Sequence, residues 1–137
     1  MQVVTATYNT TVSHTTTSFT DTGLTATITP TSTSNKILVL VNQNGFQKSS
    51  HNTYSQLKLL RGSTDITIIM PLMGYNNNTN TEAYGSFSTC FLDSPATTSA
   101  TTYKTQFNNA GGTGSVTLQT FTSGIAESTI TLMEIAG

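Results

Sequence analysis

Charge is what this sequence has least of. Only 8% of its 137 residues are Asp, Glu, Lys or Arg, against roughly 25% in an average soluble domain. The formal net charge is -1, and Lys36, Lys48, Lys58, Arg61 and Lys104 are spread along the chain. Recognition of a phosphate backbone needs clustered Lys and Arg, so no nucleic-acid partner is expected. Long hydrophobic runs are missing too. The longest, Ile37 to Val41, is far short of the roughly 20 residues that cross a bilayer as a helix. Met1-Gln-Val-Val also lacks the basic start and apolar stretch of a signal peptide. These absences predict a soluble chain made in the cytoplasm of its producer cell, with no membrane partner.

Cys90 is the only cysteine, which excludes an intramolecular disulfide framework. Within Phe87-Ser-Thr-Cys-Phe91 it is expected to be a small, inert, buried hydrophobe. Tryptophan is absent as well, removing the strongest platform for stacking a sugar.

Catalytic and metal-binding signatures are equally hard to find. Gly111-Gly112-Thr113-Gly114 lacks the following Lys-Ser/Thr and the strand-to-helix setting of a phosphate loop, and reads as a hairpin turn. A serine nucleophile needs a base and an orienting carboxylate, but His14 and His51 lie in Ser/Thr/Asn-rich stretches expected to be exposed loops. Those histidines and Cys90 show no paired metal-ligand spacing. Asp21, Asp65, Asp93, Glu82, Glu127 and Glu134 are isolated, whereas glycoside hydrolysis needs two converging carboxylates. The expectation is a protein that is not an enzyme and has no cofactor and no metal.

Threonine, by contrast, makes up more than a fifth of the chain. A polar tract of that kind could stay disordered, but apolar residues supply 35% of the sequence and arrive in alternating bursts. In such company Thr is a β-branched strand residue. Val4, Ala6 and Tyr8 alternate with Thr5 and Thr7, and Leu24, Ala26 and Ile28 with Thr25, Thr27 and Thr29, as in half-buried strands. Lys36 to Val41 is apolar on both faces, which fits a central strand covered twice or one whose outer face meets a neighbouring subunit.

Further strands are expected at Tyr54 to Arg61, Asp65 to Met70, Tyr84 to Leu92, Thr102 to Phe107, Ser115 to Phe121 and Thr129 to Ile135, about nine in all. Turn chemistry separates them, at Thr29-Pro30, Asn44-Gly45, Arg61-Gly62-Ser63, Met73-Gly74, Asp93-Ser94-Pro95 and Ser123-Gly124. Short strands at this spacing without intervening helices predict an all-β domain, a β-sandwich or jelly roll, and 137 residues suit a single core. Two polar stretches, Asn42 to Thr53 and Tyr75 to Thr81, are expected to project as loops. They would expose Asn44, Phe46, Tyr75, Asn77 and Asn78 to a partner.

Five segments share a further likeness. They are Thr20-Asp-Thr-Gly-Leu-Thr-Ala-Thr-Ile-Thr-Pro30, Thr33-Ser-Asn-Lys-Ile-Leu-Val-Leu-Val41, Leu59-Leu-Arg-Gly-Ser-Thr64, Phe91-Leu-Asp-Ser-Pro-Ala-Thr-Thr-Ser-Ala-Thr-Thr-Tyr-Lys104 and Ser128-Thr-Ile-Thr-Leu-Met-Glu-Ile-Ala136. In order and content they resemble a family of proteins and C-terminal domains from phages of aquatic bacteria, cyanophages especially, described variously as tail-fibre, structural or decoration proteins.

The resemblance covers residues 15–137 and implies a tumour-necrosis-factor-like jelly roll arranged as a homotrimer. It carries no catalytic motif. Residues 1–14 lie outside its strongest part and form either an N-terminal arm, anchored on the shell by Val3 and Val4, or a first strand. A weakly charged domain with aromatic-bearing strands has apolar surface to hide, and symmetric association hides it. Tyr103, Phe107, Phe121 and Leu132 are the residues expected near the axis.

The function expected on this basis is that of a capsid decoration, or cement, protein on the virion surface, partnered by the phage major capsid protein. The start at Met1 fits a complete gene product. The alternative is a tail-fibre tip whose Asn/Thr/Ser-rich loops recognise a host surface glycan.

Overall fold

Period-two patterning gives a strand one apolar and one polar face, and two such sheets bury their apolar faces against each other. The computed structural model describes residues 1–76, 83–120 and 125–137, and no helix occurs among them. Their strands are β1 (Val3–Tyr8), β2 (Val12–His14), β3 (Thr20–Ile28), β4 (Lys36–Lys48), β5 (Ser55–Arg61), β6 (Thr64–Met73), β7 (Ala83–Asp93), β8 (Thr101–Asn109), β9 (Val116–Leu118) and β10 (Ser128–Ile135).

All described pairings are antiparallel. The first sheet runs β1-β10-β4-β7, and β9 and β2 prolong it beyond the end of β10. The second runs β3-β8-β5-β6. From β3 onward the chain passes to the other sheet at five of its seven steps, and this alternation makes the domain a β-sandwich of jelly-roll type. β1 pairs with β10 from Val3↔Met133 to Tyr8↔Ser128. Residues 3–8 are therefore a strand of the first sheet.

The described residues of the interior form two apolar clusters. One gathers Leu24, Ala26, Ile28, Ile37, Val39, Val41, Leu59, Tyr103, Ile130 and Leu132. The other gathers Phe46, Leu57, Met73, Phe107, Val116 and Leu118. Each fully buried aliphatic side chain contributes about 1.5–3 kcal/mol relative to exposure.

A buried polar seam crosses the sandwich from sheet to sheet. Thr22 and Thr105 share a 2.6 Å hydrogen bond, and Thr105 Oγ1 donates to Gln43 Oε1 at 3.0 Å. Gln43 Nε2 in turn donates to Ser128 Oγ at 2.9 Å. Gln119 Nε2 and the Asn44 backbone N–H converge on the same hydroxyl, each at 3.0 Å.

This seam explains one departure from the expected pattern. Asn42 to Thr53 is not a loop throughout, because β4 continues to Lys48 with the polar Gln43 and Lys48 pointing inward. A bulge at Gly45 (φ +66°) lets the strand bend towards β9. Beyond it, β4 pairs Gln47↔Thr117 and Lys48↔Val116.

Candidate functional site

The outer face of the first sheet holds the surface most unlike ordinary solvent-facing sheet. Register places Val3, Met133, Leu38 and Leu92 side by side, one from each of β1, β10, β4 and β7. The next row is Thr5, Thr131, Leu40 and Cys90, and the one after it Thr7, Thr129, Asn42 and Ser88. The face thus grades from apolar to polar along the strands. Val3 is 51% exposed, Leu92 49% and Leu40 38%, while Leu38 and Met133 are half-buried. An antiparallel sheet with one wet face normally alternates hydrophobic-in and polar-out, so a full outward row of apolar residues is anomalous. Thr5 and Thr131 hydroxyls bond to each other at 3.1 Å beside it. Leu40, Asn42, Ser88, Cys90, Thr129 and Thr131 help line a shallow open groove of about 550 Å³.

Charged side chains gather elsewhere. Lys58 pairs with Asp65 at 2.8 Å and Lys104 with Asp21 at 2.9 Å, both on the second sheet. Arg61 reaches Asp93 at 2.7 Å, and Tyr103 donates its hydroxyl to the same carboxylate oxygen at 2.6 Å. Burial and the Asp93 carboxylate push the Tyr103 phenol well above its ordinary range.

Glu134 Oε1 accepts from the Thr31 backbone N–H at 2.5 Å, the Thr31 hydroxyl at 2.8 Å and Asn35 Nδ2 at 2.7 Å. These bonds, that from Asn35 foremost, hold its carboxyl below the usual range. Lys48 is buried, which lowers its ammonium pKa, and it donates to Asn76 Oδ1 at 2.7 Å. Among the described residues no group of three His, Cys, Asp or Glu side chains could hold a metal ion.

Several expected site residues fall elsewhere. Tyr103, Phe107 and Leu132 are fully buried inside the protomer's own core, which corrects their placement at an intersubunit axis. β8 is a central strand of the second sheet and β10 of the first, so their inward residues meet the opposite sheet. Phe46 is also a core residue, with its ring 5.9 Å from Phe87. Cys90 is exposed, because outward residues alternate with Phe87 and Phe91 along β7. His14 belongs to β2, its Nε2 donating to the Ser18 carbonyl at 2.7 Å.

Asn44 is half-buried and its amide donates to Glu127 O at 2.6 Å. Tyr75 is exposed and packs edge-on against Tyr54, with centroids 5.7 Å apart. Val3 faces solvent, whereas Val4 faces the core. Phe121, Asn77 and Asn78 lie outside the described residues. Sequence reasoning did not place the outward Leu38, Leu40, Leu92 and Met133 at a site; the two-faced run Lys36 to Val41 was the signal for Leu38 and Leu40.

No protein-family model matches the chain, and no curated protein matches it. Among solved structures it is similar to the insecticidal delta-endotoxin Cry8Ea1 of Bacillus thuringiensis, at 18% identity and a TM-score of 0.43. That likeness covers 91% of this chain and 19% of the toxin chain.

Proposed function

We propose that this domain is a structural protein of a phage virion, a capsid decoration protein that associates as a homotrimer and binds the major capsid protein. The single observation carrying the reading is the apolar row Val3–Met133–Leu38–Leu92 on the outer face of the first sheet. Exposed apolar surface rimmed by polar residues marks a protein–protein contact, and closed symmetry lets identical copies cover it. The five-segment resemblance supplies the threefold arrangement and the capsid. A protein bound only to the assembled shell adds buried interface to it, and so stabilises it by mass action.

Cryo-electron microscopy of the source virion tests the reading. Density of this size at many symmetry-related capsid positions is expected, and density confined to the tail overturns it.

One observation favours a second reading, glycan recognition at a tail-fibre tip. Tyr84, half exposed, borders an open groove of about 420 Å³ with Asn44, Ser86 and Ile125. An aromatic ring beside amide and hydroxyl groups suits the apolar face and hydroxyls of a sugar. Glycan-array binding lost in Tyr84→Ala, with no capsid density, would select this reading.

A further inference from the structure

A sheet edge presents unpaired backbone N–H and C=O groups, and proteins protect such edges with charge, proline, bulges or shortness. Most edges of this sandwich carry these devices. β3 has Asp21, ion-paired to Lys104, and a register break between Asp21 and Thr25. β6 has Asp65, Pro71 and three register shifts against β5. On the far side of the first sheet β2 is only three residues long, and β1, at six, is about half the length of β7.

Among the described residues, β7 has none of them between Ala83 and Leu92, and its one charge, Asp93, sits at its end, ion-paired to Arg61. It runs for eleven residues, carries no charge or proline from Ala83 to Leu92, and among the described residues pairs on one side only, with β4. The one bulge between them takes its extra residue from β4.

The core is also only partly covered on the flank beside this edge. Phe87 and Phe91 of β7 point inward but are only half-buried, as are Ile66, Ile69 and Met70 of β6. Along β7, Ser86, Ser88, Cys90 and Leu92 face outward and Phe87, Thr89 and Phe91 inward. Antiparallel pairing about a twofold axis sets like faces together, so this strand is its own complement and brings no like charges into contact.

We propose that β7 pairs antiparallel with β7 of a second copy of this chain, merging two first sheets into one and covering Phe87 and Phe91 of both copies. Strand pairing lies in the plane of the sheet and leaves the outer apolar row free. The inference therefore stands independently of the threefold association, and together the two contacts would link one trimer to the next.

The test compares the full chain with the Ser86→Lys/Ser88→Lys double variant by light scattering and by bismaleimide cross-linking through Cys90, the sole cysteine. Both serines are exposed, so the circular dichroism spectrum and melting temperature should be unchanged. The variant should halve the assembly mass and lower the cross-linked yield about tenfold or more, because like charges meeting across a pairing axis oppose association. Equal mass and equal cross-linking in the two proteins would overturn the proposal. A Leu38→Lys/Leu40→Lys variant separates the two contacts. Loss of mass in that variant alone overturns edge pairing and leaves the trimer standing, whereas loss in the serine variant alone supports edge pairing against the trimer.

Discussion

Thr105 shows how much one hydroxyl does in this domain. It gives its one proton to Gln43 and so accepts from the Thr22 hydroxyl. Thr105→Val keeps the shape but leaves the Gln43 carbonyl oxygen buried without its donor. A loss of about 1–3 kcal/mol is expected, read as a lower urea midpoint with unchanged slope.

Glu134 gives a residue-scale prediction in pH. Its folded pKa lies below the ordinary 4.5, so the unfolded chain binds the proton more readily, and the stability contributed by the carboxylate is complete only above that value. As pH falls through the folded pKa that contribution disappears. The wild type should therefore exceed Glu134→Gln in stability at neutral pH, and the gap should close in acid. A gap independent of pH in paired urea titrations would show that the carboxylate's charge is not what the Thr31 and Asn35 donors hold.

Among the elements, β4 is the most informative. Its first half was legible from sequence because Ile37, Val39 and Val41 alternate with residues that are themselves apolar. Its second half was not, since the inward positions are filled by Gln43 and Lys48, and polar residues in a core look like loop residues in a sequence. Parity was the other obstacle. Alternation groups Tyr103 with Phe107 correctly, but only the pairing of strands decides whether that face meets the opposite sheet or the outside. The same ambiguity hid Met133, one residue from the buried Leu132, and put Cys90 on the wrong side of β7.

The bulge in β4 belongs to this scale as well. A Cβ on Gly45 would lie 2.7 Å from the Thr120 backbone N and 2.8 Å from the Ala126 Cβ, at a φ of +66°. Gly45→Ala should cost about 1–3 kcal/mol through strain and detach β9 from the end of β4. Hydrogen exchange would register this as faster exchange at Val116 to Leu118, with the β10 amides still protected.

For the whole molecule, the apolar outer row separates stability from assembly. Leu38 and Leu40 project from the sheet and not into the sandwich, so Leu38→Lys/Leu40→Lys should leave thermal unfolding of the protomer nearly unchanged, within about 0.5 kcal/mol per site. With edge pairing blocked by Ser86→Lys/Ser88→Lys, light scattering at micromolar concentration should give a trimer, and adding Leu38→Lys/Leu40→Lys to that variant should give a monomer. A wild type that remains monomeric would remove the self-association reading altogether.

The hydrogen-bonded chain from Thr22 to Gln119 has a consequence for how the fold is selected. Aliphatic side chains tolerate sliding, because a strand moved by two residues still turns grease towards grease. A relay of hydroxyls and amides does not, since each displaced member would sit in a dry interior facing carbon. Threonine-rich strands offer many near-equivalent alignments, and this one line of polar atoms tells the native alignment from its shifted imitations.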